Sequence, residues 1–242
     1  EVNRVVADRL ANLLFAPSPD AVENLRAEGF DEARIHLVGN VMIDTLLACA
    51  ARALARPILD ELGLHPGGYG LVTLHRPANV DHPPVLAGLV GALNALSARL
   101  PLVFPAHPRT AAKLDAHPLA AGLRVIEPVG YLDSVALQAG ARLVLTDSGG
   151  LQEETTALGV PCLTLRENTE RPITVTEGTN RVVGVEPRAI AAAAADVLDH
   201  GVERRRPALW DGKASERIAD VLEAALAGEV IDLRPAPSPV HP

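Results

Sequence analysis

The stretch LVLTDSGGLQEETTALGVPCLTL, Leu143 to Leu165, decides the architecture. Leu143 to Thr146 are all aliphatic or β-branched, as expected of a strand buried on both faces. Asp147-Ser148-Gly149-Gly150 then breaks the run. From Leu151 to Gly159 the apolar residues take helical spacing, and Gly159 stands where a C-terminal cap belongs. A second short run, Cys162 to Leu165, follows directly. Strand, helix, strand in so short a span is a βαβ unit, which makes its two strands parallel.

The same alternation runs outward in both directions. Further strands are predicted at Leu13 to Ala16, Ile35 to Val38, Gly70 to Leu74, Leu102 to Pro105, Arg124 to Glu127 and Val182 to Gly184. Helices are predicted at Asp20 to Gly29, Met42 to Leu54, Pro84 to Leu100, Pro108 to His117, Leu132 to Gly140, Pro187 to His200 and Ser215 to Ala227, with Gly29 and Gly140 as C-caps. So many repeats predict an α/β fold, a doubly wound parallel sheet of Rossmann-like type. The irregular stretch Ala55 to Gly70 separates the first two strands from the other six. A domain border is expected near Asn40 to Asp44, and the proline-rich tail 228–242 is expected to be disordered. Leu13, Leu14 and Phe15 are expected to be exposed on a broken sheet.

Composition narrows the chemistry. The 242 residues are 48% hydrophobic and carry a formal charge of −8, which excludes a disordered chain and makes nucleic acid and anionic membranes poor partners. Cys49 and Cys162 are too far apart in sequence for a zinc or redox motif, and no apolar run is long enough to span a bilayer. A cytoplasmic location is expected. Cys162 and Trp210 read as core residues.

In an open α/β sheet, ligands bind past the carboxyl ends of the strands. There this chain places His75-Arg76, His107, Asp147-Ser148-Gly149-Gly150, Arg166 and Thr169-Glu170-Arg171-Pro172. The Ser148-Gly149-Gly150 turn opens a helix, so bare backbone N–H groups and the positive helix end suit a diphosphate. Glu154, one turn on, suits the two hydroxyls of a ribose. The plain alternative is a tight turn with acidic residues favouring a helix start, and His75 and His107 as hydrogen-bonded turn residues. Asp147 is expected to face back toward the strand end, and Glu170 to lie beside Arg171.

The run TDSGGLQEETTALGVPCLTLRENTERPITVTEGTNRVVG, Thr146 to Gly184, resembles the signature of the non-hydrolysing UDP-N-acetylglucosamine 2-epimerases. So do LLFAPSPDAVENLRAEG, VGNVMIDTLL, LVTLHRPANVD, PAHPRT and GYLDSVALQAGARLVLTDSGG, in the family's order. The resemblance implies the second domain of a GT-B-type pair of Rossmann-like domains, interconverting UDP-GlcNAc and UDP-ManNAc for cell-surface polysaccharide biosynthesis without metal, nicotinamide or other cofactor. A homodimer is left open.

By resemblance, His75 is catalytic and Val129, Ser134, Ser148, Gly149, Gly150, Glu154 and Arg171 hold UDP or substrate. Arg76 and His107 match a regulatory UDP-GlcNAc pocket. Two positions depart from the pattern: Ala78 stands where Glu is usual, and Ser134 where an aromatic residue often meets the uridine. Glu1-Val2-Asn3-Arg4 resembles the end of a Pro-Glu-Glu-x-Asn-Arg motif. The expected division is therefore 1–41 from the end of a first domain, 42–227 as the UDP-binding domain with its last helix, 211–227, returning to the first, and a tail, 228–242. The chain alone is expected not to epimerise, because the family's proton-abstracting carboxylates precede it. A UDP-sugar glycosyltransferase and a non-catalytic UDP-sugar-binding fragment stand as alternatives.

Overall fold

The computed structural model describes residues 2–227, so the expected disorder of the tail lies outside the described residues. In chain order the elements are α1 (Val2–Leu10), β1 (Leu14–Ala16), α2 (Pro19–Ala27), β2 (Ile35–Leu37), α3 (Val41–Leu54), α4 (Ile58–Glu61) and β3 (Gly70–Thr73). There follow α5 (Pro77–Val80), α6 (Pro83–Ser97), β4 (Leu102–Pro105), α7 (Pro108–Leu114), β5 (Leu123–Ile126), α8 (Tyr131–Gly140) and β6 (Leu143–Thr146). The chain continues through α9 (Gly149–Leu158), β7 (Cys162–Thr164), α10 (Ile173–Thr176), β8 (Asn180–Val182), α11 (Pro187–His200) and α12 (Ala214–Leu226). All strand pairs are parallel.

The described residues divide into two compact units, one of residues 2–44 and 208–227 and the other of residues 45–207. In the first, β1 pairs with β2, and Leu14, Val22, Phe30 and Ile35 bury one another. Leu14 is thus core rather than exposed, because α2 covers it. The returning segment is fastened to the same unit. Trp210 is buried, with its indole N–H on the Pro17 carbonyl at 3.1 Å. Asp44 caps α12 by accepting from the backbone N–H of Ala214 (3.1 Å) and of Ser215 (2.6 Å).

The second unit is a six-stranded sheet in the order β5-β4-β3-β6-β7-β8. Counted from β3, this is the Rossmann order 3-2-1-4-5-6, whose winding reverses between β3 and β6. Alternate residues of each strand serve opposite faces. Val72, Phe104, Leu145 and Leu163 join Leu89, Leu93, Ile190 and Val197 from α6 and α11 on one side. Leu71, Val103 and Val144 join Tyr69, Leu137 and Val160 on the other.

Two local readings are corrected. β8 begins at Asn180, two residues before the predicted start, because Asn180 is a buried polar strand residue whose Oδ1 accepts from Thr164 Oγ1 at 2.7 Å. Gly140 is the last residue of α8 rather than a left-handed cap. A side chain there would stand 2.8 Å from the Tyr69 hydroxyl.

Phe104 is fully buried in the layer under α6. Replacing Phe104 by Ala should cost about 3–5 kcal/mol of stability through lost burial and a cavity, read by denaturant unfolding.

Candidate active site

The site is built at the reversal between β3 and β6, around one buried carboxylate. Asp147 follows β6 and has no exposed surface. Its oxygens accept the backbone N–H of His75 (3.1 Å to each), the backbone N–H of Arg76 (2.9 Å) and Asn79 Nδ2 (3.1 Å). His75 Nδ1 lies 2.9 Å from Asp147 Oδ1. An unpaired buried carboxylate would be costly, and here every approach is met by a donor. Asp147 does lie under the strand end as expected, and from there it pins the turn after β3 against the turn after β6. Arg76 Nε completes the join on the Asp147 carbonyl at 3.1 Å.

Asp147 also fixes His75 chemically. With Nδ1 turned to the carboxylate, Nε2 is the nitrogen left for the crevice. The hydrogen bond to Asp147 raises the His75 pKa above its ordinary value, against partial burial and the nearby Arg76 charge.

Next to it, α9 begins at Gly149, two residues earlier than predicted, with Ser148 as the N-cap. Both glycines therefore lie in the helix's first turn, whose N–H groups have no intrahelical acceptor. The Ser148 N–H is held by Thr146 Oγ1 at 3.0 Å, and that hydroxyl meets Thr73 Oγ1 at 2.6 Å. Gly149 has no positive φ, and a Cβ there would meet nothing within 4 Å. Neither backbone nor packing demands a glycine at 149. Open approach to the backbone is what it provides.

Glu154 is buried, and its Oε2 accepts Gln138 Nε2 at 2.7 Å. Ser134 Oγ lies 3.4 Å from the same amide nitrogen. Burial first, and then the charge of the nearby Glu154 carboxylate, push the Tyr131 pKa up to about 12. Val129 is half-buried against the apolar layer beneath α8.

The loop after β7 corrects one expectation. Glu170 is gripped by Arg166, not Arg171, at 2.6 and 2.7 Å, because the turn folds residues four apart onto each other. That hydrogen bond takes the Glu170 pKa down to about 2. Arg171 Nε instead lies 2.8 Å from the buried Glu153. Arg76 lines a cavity of about 310 Å³ with Ala78, Asn79, Val85 and Arg166. His107 is not among its lining residues; it caps α7, with Nδ1 accepting the Arg109 N–H at 3.3 Å.

His75, Arg76, Ser148, Gly149 and Gly150 are thus gathered around Asp147, while Glu154 and Ser134 meet through Gln138. Asn79, Gln138 and Glu153 were not singled out as site residues from the sequence, and Asp147 was placed past its strand but given no ligand to hold. A cavity of about 380 Å³ beside Arg142, Pro161 and Arg204 lies at the amino ends of β6 and β7 and has neither histidine nor carboxylate in its lining. Among the described residues no group of three or more His, Cys, Asp or Glu is placed to hold a metal ion, and no helix is long and apolar enough to cross a membrane.

A family model described as UDP-N-acetylglucosamine 2-epimerase matches residues 1–223. The chain belongs to the UDP-N-acetylglucosamine 2-epimerase family. The epimerase of that name from Methanococcus maripaludis is 36% identical over 234 residues, which cover 92% of this chain and 63% of the relative. A UDP-2,3-diacetamido-2,3-dideoxy-D-glucuronate 2-epimerase from Pseudomonas aeruginosa is 39% identical over 226 residues, 92% of this chain and 62% of that protein. The crystal structure of the Methanocaldococcus jannaschii UDP-GlcNAc 2-epimerase in complex with UDP-GlcNAc and UDP superposes with a TM-score of 0.80 at 36% identity. It is matched over 92% of this chain and 64% of its own. The chain thus spans under two thirds of the length of these epimerases, and its parallel α/β architecture is that of structural neighbours of GT-B type.

In a protein NMR titration His75 should lose its proton above the ordinary histidine value of 6.5, and Asp147→Asn should lower that midpoint. Because the folded value is raised, the pair's contribution to stability is complete below the ordinary value and is lost as pH rises through the raised one. Exposure of the His75 side chain keeps that contribution small.

Proposed function

We propose that this chain is the UDP-binding part of an epimerase that inverts C2 of a UDP-2-acetamido sugar, UDP-GlcNAc to UDP-ManNAc, by eliminating and re-adding UDP. The observation that carries the reading is the joining, through Asp147, of a crevice-facing histidine to a helix start whose glycine has no structural need. In this reading the N–H groups of Gly149 and Gly150, the Ser148 hydroxyl and Arg171 hold the diphosphate, and Glu154 accepts the ribose hydroxyls, with Ser134 and Val129 toward the base. Arg76 and His107 are assigned to a second, regulatory UDP-GlcNAc.

As a base takes the C2 proton, the C1–O bond breaks and its electron pair leaves on the diphosphate, giving a 2-acetamidoglucal. Donors already aimed at that oxygen stabilise the charge as it forms. His75, whose hydrogen bond to Asp147 favours the charged imidazole, gives its Nε2 hydrogen bond there. Addition of UDP after protonation of the other face completes the inversion.

The base is assigned to the part of the relatives' length that this chain does not span. Glu170 is held ionised by Arg166 and is a weak base, Asp147 is saturated with donors, and Glu154 is engaged by Gln138. The Pseudomonas aeruginosa relative favours a second reading, in which the acetamido sugar is a uronate; the UDP half of the site is unchanged by that choice. The glycosyltransferase alternative is not favoured, since the family model and these relatives are epimerases.

Glu154→Ala should weaken UDP by about 1–3 kcal/mol, roughly tenfold to a hundredfold, in calorimetry; an unchanged affinity would remove Glu154 from the ribose. With residues 1–242 alone, UDP-GlcNAc should take up no deuterium at C2 in deuterated water. Incorporation above a protein-free control, followed by NMR, would place a base within this chain.

A further inference from the structure

The segment from Arg166 to Pro172, between β7 and α10, has no aliphatic or aromatic residue ahead of its proline, and Glu167, Asn168, Glu170, Arg171 and Pro172 are exposed. Apolar burial therefore does not hold it in place, and the entropy lost in ordering it has to be offset by hydrogen bonds. Some of these lie within the segment, as where Arg166 grips Glu170. Others run to α9. Arg171 reaches Glu153, and the Thr169 hydroxyl donates to Oε1 of Gln152 at 2.5 Å.

Gln152 stands one turn into α9 from Gly149 and has no exposed surface. Its Oε1 takes a second donor, Asn180 Nδ2 at 3.2 Å, and the same nitrogen donates to Thr174 Oγ1 at 3.0 Å. Through the two threonines, these two amides hold the backbone of Arg171 from both sides. Thr169 Oγ1 accepts the Arg171 N–H at 2.9 Å, and Thr174 Oγ1 donates to the Arg171 carbonyl at 2.7 Å. The guanidinium is oriented separately, with Nε on Glu153 and Nη1 on the Glu170 carbonyl at 3.1 Å. Nη2 is the nitrogen left to meet a ligand.

Gln152 Nε2 meets no acceptor among the described residues. A buried amide satisfied on one side only is costly, and an apolar side chain of similar volume would serve the fold alone better. What the amide adds is position. Resting on the assignment of Arg171 and the glycine turn to the diphosphate, the geometry points to Gln152 as a positioning residue, whose amide oxygen seats the Arg171 segment, through Thr169, against the helix that opens with that turn. Both sides of the diphosphate site are then referred to one helix: the N–H groups of Gly149 and Gly150 in its first turn, and Arg171 through a side chain one turn on. A guanidinium fixed in advance loses less freedom when the ligand arrives, so the relay raises affinity for the diphosphate and leaves the nucleoside alone.

The test uses the protein at its natural length, with UDP binding followed by calorimetry and uridine binding by NMR titration. Thr169→Val keeps the shape of the side chain and removes the relay; it should weaken UDP about threefold to tenfold and leave uridine unchanged. Thr169→Ser restores the hydroxyl and should bind UDP as the unchanged protein does. Gln152→Met, which fills a similar volume without the amide, should reproduce Thr169→Val. In an Arg171→Ala background Thr169→Val should weaken UDP no further, because the relay acts only through that arginine. UDP affinity of Thr169→Val within about twofold of the unchanged protein would overturn the proposal, and so would an undiminished loss in the Arg171→Ala background. Parallel loss of UDP and uridine would overturn it in favour of a role in folding alone. If Arg171→Ala itself binds UDP as the unchanged protein does, the assignment of Arg171 to the diphosphate fails and the proposal falls with it.

Discussion

Asp147 is the constraint on which the site depends. A carboxylate with no exposed surface must be met by donors, and those that meet it come from the turn after β3: two backbone N–H groups, the His75 ring and the Asn79 amide. Satisfying one buried charge therefore fixes the path of that turn, the tautomer of His75 and its distance from the glycine turn. Asn79 extends the tie to β7 by donating to the Leu165 carbonyl at 2.9 Å. Three strand ends are held by one carboxylate and one amide.

The sheet explains why such a knot forms there. The winding reverses between β3 and β6, so the connections leaving those strands depart to opposite sides and leave a crevice between them. Side chains bury both faces of the sheet and keep the strands in register, while the strand ends stay free to carry polar groups. The chain as a whole is acidic, yet this edge gathers Arg76, Arg166 and Arg171 with a helix start, and two of the guanidiniums are positioned by Glu170 and Glu153. Guanidinium donors held in place beside a helix start suit an anionic ligand bound at one spot.

Strands were legible because parallel, two-sided burial demands uninterrupted apolar runs, and each run here ends at a residue that breaks it. β8 was placed late because its first residue, Asn180, is buried by hydrogen bonding and carries no apolar signal. Short helices such as Pro77–Val80 and Ile173–Thr176 are too brief to show a period, and the exposed helix Val2–Leu10 went unread because its few apolar residues bury no face. At the site, residues beside a strand end were found from position alone, and the resemblance added roles to them. The partnerships were not legible: Asp147 meets residues some seventy positions away, and Arg166 rather than Arg171 takes Glu170.

The central claim is that Asp147 keeps His75 protonated and aimed at a diphosphate held by the glycine turn. Proton uptake on UDP binding tests it most directly, measured by calorimetry in buffers of different ionisation enthalpy above about pH 7, where a phosphate is largely past its second ionisation. The account predicts that protons are taken up as pH rises through the raised His75 value, that UDP affinity falls over the same range, and that His75→Gln abolishes both. Affinity independent of pH with no proton uptake, or uptake unchanged in His75→Gln, would contradict it.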